Sequence, residues 1–423
     1  MTAATHEILD FSGDARHFNK SKWIKQNRKY PADPPAELRA YWDSLYEIPQ
    51  KYQHQLIPEP TFNIIEFTQL KLPGTTSTLI EHATKNFFSE HNPTEDISCL
   101  ANRNLPSRIF VNDAKSAFGQ AILDGAKSID DPHYKGDFLP LWTVAYWDTM
   151  HGIVENQKIW QQVLQWLKQR DDNSARKRFF SECWTLLTIL EWNTKICLPG
   201  GAGPVSDFAQ LLGDKMVTGN VVDMMMERLA GRIREDEEAS KSYNVVTLSF
   251  QDNISKAWDS RKSDGYKSSN FLRKIITEMK NSPKILLFPV HMKLKHYLGF
   301  AIDFKEHILY HGKHVCPICK TPNRNSPKKT NLAGDSLEIE HPEISKIYKQ
   351  LQWWLTQNFR EPFEDLGGTM EHGIQQDTTS CAITTVNMLA HKALRDHLWN
   401  VTQRDSERVQ WFNRLVKQQI LVS

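Results

Sequence analysis

The chain has 423 residues, 40% hydrophobic and 24% charged, ordinary globular usage that excludes collagen-like and wholly disordered polypeptides. At roughly 100–200 residues per domain, such a length carries two or three domains. Lys and Arg number 52 against 50 Asp and Glu, a balance of +2 that gives no reason to read nucleic-acid binding from bulk charge.

The first segment, MTAATHEILDFSGD, has acids and no apolar core of a secretory signal. No run reaches the roughly 18 apolar residues of a membrane span. The six cysteines, Cys99, Cys183, Cys197, Cys316, Cys319 and Cys381, are too sparse for a disulfide framework and fit thiols in a reducing compartment. The expectation is an intracellular protein of nucleus or cytoplasm, not secreted and without a membrane partner.

Residues 1–75 are polar and rich in Pro and aromatics, which reads as an irregular N-terminal segment with one short strand around Phe62–Phe67. Residues 76–199 read as a mainly helical region with no assigned role. There Trp142, Tyr146, Met150, Ile153, Trp160, Val163 and Leu167 recur mostly at three- or four-residue intervals, the pattern of a helix face buried in a core. A second helical run is expected over Arg178–Ile196. LPGGAGPVSD (198–207) reads as a break, and 200–423 as a second domain of mixed helix and strand.

Within 200–423 the run LLGDKMVTGNVVDMMMERLAGRI reads as helix, NVVTLSF as a strand and NFLRKIITEM as helix. KILLFPV, HYLGFAID and HILYH read as consecutive strands, and ISKIYKQLQWWLTQ and CAITTVNMLAHKAL as helices.

A thiol nucleophile needs a lowered pKa, an imidazole within reach, a group to orient that imidazole, and donors facing the developing oxyanion. Cys381 stands where the polar run QQDTTS gives way to a helix, and a helix N-terminus favours an anion. Gln375 lies six residues earlier, and His296 opens a strand. Taken singly, each has a blander reading: a buried small residue, a structural His, a loop Gln.

Their order adds weight. H-Y-L-G-F-A-I-D-F-K-E-H-I-L-Y (296–310), G-D-S-L (334–337) and Q-Q-D-T-T-S-C-A-I (375–383) resemble the ubiquitin-like-protein-specific cysteine proteases of the SUMO-protease family. L-L-G-D-K-M-V-T (211–218) is similar to that family's upstream W-L-x-D motif. The resemblance implies an α+β, papain-like or adenain-like catalytic domain, a central mixed sheet flanked by helices, over 200–423. It implies Cys381 as nucleophile, His296 as base, Asp335 as the group orienting it, and Gln375 in the oxyanion hole. Tyr297, Leu211 and Asp214 would meet the substrate tail. The implied partner is SUMO or another ubiquitin-like protein and its conjugates, with no cofactor and no direct nucleic-acid contact.

The chain departs from the family pattern in places. Asp335 is held away from His296 by GKHVCPICKTPNRNSPKKTNLA (312–333), which has five Lys or Arg, no acid and three Pro; it reads as an insertion. Cys316, Cys319, His311 and His314 in or beside it could supply zinc ligands, but a single CxxC without a second pair is short of a closed tetrahedral set, so no metal is expected. Tyr297 and Leu211 replace family tryptophans, and Ala382 replaces the Gly after the nucleophile. Two other readings compete: a catalytically impaired member that binds a modifier without cutting it, and an accessory protein of a mobile element, suggested by the Trp-rich helical region.

Overall fold

The computed structural model describes residues 29–76, 87–94, 96–134, 136–170, 177–262, 268–292, 296–312, 342–375 and 377–422. Contacts divide the chain into two units, residues 1–161 and 162–423. Asp335, Cys316, Cys319 and His314 lie outside the described residues.

The first unit opens with three short helices, α1 (Ala36–Tyr46), α2 (Gln50–Leu56) and α3 (Ile64–Gln69), where irregular chain was expected. The strand expected at Phe62–Phe67 is overturned by α3. A short apolar run such as NIIEF fits either element, and the capping box decides. The Asn63 side chain accepts from the Glu66 amide at 2.9 Å while the Glu66 carboxylate accepts from the Asn63 amide at 3.0 Å.

Helix α4 (Arg108–Asp124) follows, capped by Ser107 and closed by Gly125 at φ 111°, the left-handed stop that glycine adopts without strain. Strands β1 (Phe88–Ser89), β2 (Ser128–Asp130) and β3 (Phe138–Pro140) form an antiparallel sheet in that order. Arg103 forks across the β2–β3 turn to Asp131 at 2.8 Å and Asp137 at 2.5 Å. Along α5 (Thr143–Lys168) and at Trp142 just before it, every residue of the stripe from Trp142 to Leu167 is buried, as its spacing implied.

In the second unit, α6 (Lys177–Leu187) ends before the expected helix to Ile196 is complete. Instead β4 (Lys195–Leu198) and β5 (Gly201–Pro204) pair as a hairpin, so the Gly- and Pro-rich break is itself strand and turn. Gly200 turns it at φ 91°. A four-residue turn, α7 (Val205–Phe208), precedes α8 (Gly219–Glu235), which starts eight residues later than the sequence pattern suggested. After α9 (Glu237–Ser242), strand β6 covers only Tyr243–Val245, and Ser249–Ser260 is helix α10. Helix α11 (Asn270–Asn281) leads into the sheet.

Strands β7 (Ile285–Met292), β8 (His296–Asp303) and β9 (Ile308–Gly312) form an antiparallel meander at the centre of a five-stranded mixed sheet. β6 joins β7 in parallel, and β10 (Glu364–Met370) joins β9 in parallel. The meander is almost wholly buried because helices cover both faces. On one face, Phe288, Leu298, Phe300 and Ile302 pack with Phe250 of α10, Ile276 of α11 and Tyr348 and Trp354 of α12 (Pro342–Asn358). Helix α13 (Cys381–Leu394) covers the other face, and α14 (Arg404–Val422) ends the described chain. Among the described residues no helix is long and apolar enough to cross a membrane.

Candidate functional site

Pleating alternates β8 side chains between the two faces. Gly299 lies under α13, where a Cβ would meet Met388 and Leu389. Tyr297 is in step with it, and its hydroxyl lies near the start of α8, 3.8 Å from where a Gly219 Cβ would be. His296 is the strand's first residue, paired with Met292 of β7, and is in step with Leu298 and Phe300 on the other side of the pleat.

Cys381 opens α13 with 2% exposure. Burial pushes the Tyr297 phenol up to about 12, and electrostatic contributions from Cys381 and Asp223 push the same way. Cys381 and Asp223 are thus within electrostatic range of Tyr297 near the head of β8. His296 (7%), Tyr297 (5%) and Gln375 (6%) are buried as well, so the site is closed rather than an open cleft.

Two helix starts meet this region: α13 at Cys381 and α8 at Gly219. Neither Ser380 nor Thr218 supplies a side-chain cap, and the first-turn amides of a helix have no intrahelical acceptor. Such amides suit an anion or a developing oxyanion. Gln375, in the loop ahead of α13, donates from its amide nitrogen to the Asp377 carbonyl at 2.7 Å. A primary amide has a second N–H outside that bond.

Leu211 is fully buried in a single turn of helix, and Asp214 is half-exposed. Asp214 pairs with Arg404 and, at 3.6 Å, with Arg170. His311 is buried between the rings of Phe300 and Tyr348 and hydrogen-bonds the neighbouring Gly312 carbonyl. Among the described residues no group of three His, Cys, Asp or Glu side chains is placed to hold a metal ion.

Three contributors escaped the sequence reading. Asp223 of α8 accepts from the Leu248 amide at 2.8 Å, and burial pushes its carboxyl up to about 6. Asp377 organises the loop before Cys381. Arg408 of α14, 0% exposed, donates to the carbonyls of Gln210 at 2.6 Å, Lys215 at 2.5 Å and Thr379 at 3.5 Å. Asp377, two residues past Gln375 in the motif, was within reach of the pattern; the arginine, 27 residues past Cys381, was not.

No protein-family model matches the chain, and no curated protein does. Among solved structures, a SUMO protease Ulp1 with its catalytic cysteine oxidised to a sulfenic acid is 11% identical. That match covers 58% of this chain and 95% of the other, with a TM-score of 0.39. The C-terminal Ulp1 protease domain in complex with Smt3, the yeast ortholog of SUMO, is 15% identical over 59% and 96%, TM-score 0.39. The catalytic domain of a Chaetomium thermophilum Ulp1-like SUMO protease is 12% identical over 57% and 88%, TM-score 0.37. At these scores the likeness carries no weight for function, which has to be argued from the chain's own residues.

Proposed function

We propose that this chain is a thiol protease or isopeptidase that cleaves after the C-terminal glycine tail of SUMO or a related ubiquitin-like modifier. The observation that supports the reading most is the buried Cys381 at the uncapped start of α13, where first-turn amides suit an anion, with Gln375 in the loop just ahead of it. The substrate class is what the resemblance of the His, Asp, Gln and Cys motifs to the SUMO-protease family implies.

In this reading His296 takes the proton of Cys381, and the thiolate attacks the carbonyl carbon of the tail's last glycine. The Gln375 amide and the Cys381 backbone N–H hold the oxyanion while it exists. The carbon–nitrogen bond then breaks, and His296 returns the proton to the leaving amine. Water attacks the thioester with His296 as base, releasing the tail carboxylate and regenerating the thiol. Asp335 orients His296 throughout. Tyr297, Leu211 and Asp214 serve the tail's path, which must part the residues that now cover the sulfur.

Turnover of a fluorogenic amide on a ubiquitin-like tail tests the proposal. Wild type should release the fluorophore, and Cys381→Ser and His296→Ala should each lose activity by about 10³-fold or more. A Cys381→Ser protein that cleaves as fast as wild type would end the reading. The closed site favours one other possibility, a module that grips a modifier without cutting it. Saturable binding of the modifier with no turnover would select that instead.

A further inference from the structure

Asp377 sits between the two residues assigned to the oxyanion hole and touches the supports of both. Its backbone carbonyl accepts from the Gln375 side chain at 2.7 Å. Its Oδ1 accepts from the amides of Thr379 and Ser380, each at 2.7 Å, immediately ahead of Cys381. Its Oδ2 lies 3.4 Å from the Arg404 guanidinium, the first residue of α14. A short polar side chain that merely turns a loop has no need of that last partner.

Arg404 is anchored in turn. It pairs with Asp214, and Asp405 at 3.9 Å completes its acidic neighbours. Arg170 links Asp214 and Asp405 at 3.6 and 2.8 Å. One turn along α14, the buried Arg408 ties the Thr379 carbonyl to the 210–215 segment. The charged groups around the Asp377–Arg404 pair are Arg408, Asp214 and Asp405, with Arg170 behind them.

We propose that Asp377 is a positioning residue that aligns the Gln375 amide with the start of the Cys381 helix, and that Arg404 of the C-terminal helix holds its carboxylate in place. The proposal rests on the thiol-protease reading above. It adds that the last helix is part of the catalytic apparatus, although none of its residues touches substrate.

Ionisation is the handle for a test. Burial pushes the Asp377 carboxyl up, but the Thr379 and Ser380 hydrogen bonds and the Arg404 charge outweigh it and hold the group below its usual range. A carboxyl with a depressed folded pKa keeps its contribution above the unfolded value and loses it as pH falls through the folded one. Removing the Arg404 charge must move that loss to higher pH.

The experiment compares kcat, KM and their pH profiles for Asp377→Ala, Asp377→Asn, Arg404→Gln and the Asp377→Asn/Arg404→Gln pair. Amide hydrogen exchange at Thr379 and Ser380 runs alongside and needs no turnover. Asp377→Ala should lower kcat about 10–100-fold with KM changed less than about threefold. Asp377→Asn, whose amide oxygen still accepts both N–H groups, should restore most of that loss. Arg404→Gln should move the acid loss of kcat, and of Thr379 and Ser380 protection, to higher pH; in the Asp377→Asn background it should move neither. An unshifted acid limb in Arg404→Gln, or amides that stay protected in Asp377→Ala, would overturn the inference. Turnover that survives Cys381→Ser would instead sink the functional reading and leave the exchange result standing on its own.

Discussion

Gly299→Ala probes how tightly the helix bearing Cys381 is seated on the sheet. A Cβ built at Gly299 would lie 2.5 Å from Met388 Cε, 2.9 Å from Leu389 Cδ2 and 3.2 Å from Leu389 Cγ. The methionine end is flexible, but its retreat is limited because Met388 also sits over Gly312, where a Cβ would be 2.7 Å from the same Cε. Leu389 is fully buried and branched, so the helix itself must give by several tenths of an ångström. Overpacking of this kind costs about 1–3 kcal/mol, and two atoms in conflict place Gly299→Ala near ~2 kcal/mol.

The assay is urea unfolding followed at the transition of the second unit, since two units need not melt together. The midpoint should fall with an unchanged slope. Met388→Ala alone leaves a cavity worth about 2–5 kcal/mol, yet it removes the partner of the clash. The double mutant should therefore be less destabilised than the sum by about 1 kcal/mol. A Gly299→Ala midpoint equal to wild type, or strict additivity with Met388→Ala, would refute the claim that this glycine is needed for the close approach of α13.

Three further outcomes follow from other residues. Asp223→Asn keeps an oxygen to accept from Leu248 and removes a carboxyl that burial has pushed from its ordinary 3.8 up to about 6. A raised carboxyl pKa means the folded state loses stability as pH climbs from about 4 to about 6. The variant should thus be more stable than wild type at pH 7, by about 1 kcal/mol after allowing for solvent screening, and equal to it below pH 4; a thermal-melt pH series checks both. Arg408→Ala strips the donor from three carbonyls in a buried setting and should cost about 3–5 kcal/mol in the second unit's urea transition. Asn63→Ala opens the capping box of α3 and should cost about 1 kcal/mol in the first unit's transition, with Asn63→Asp near wild type.

The elements most legible in the sequence are those with one strong physical signal. β7, β8 and β9 announce themselves as apolar runs because both faces are covered, and α13 does so through its continuous small and apolar face. β10 (EDLGGTM) was missed because it is an edge strand with two glycines and register shifts, leaving no alternation to read. The β4–β5 hairpin was hidden for a related reason: glycine and proline, the usual marks of a break, build its second strand and turn. α10 was obscured because its apolar start continues that of β6. At the site, the roles proposed for Cys381, His296 and Gln375 come from their order in the chain. The brace of Asp377, Arg404 and Arg408 joins segments nearly two hundred residues apart, such as Gln210 with Arg408, and no local pattern encodes such a meeting.

The most direct measurement of the central claim is covalent capture. Purified chain is incubated with a ubiquitin-like tail ending in an electrophile at the scissile carbon, and the adduct is mapped by peptide mass. The account predicts a single adduct on Cys381, slowed about 10²-fold or more by His296→Ala. An adduct on Cys99, Cys183 or Cys197 in place of Cys381, or capture indifferent to His296, would contradict it.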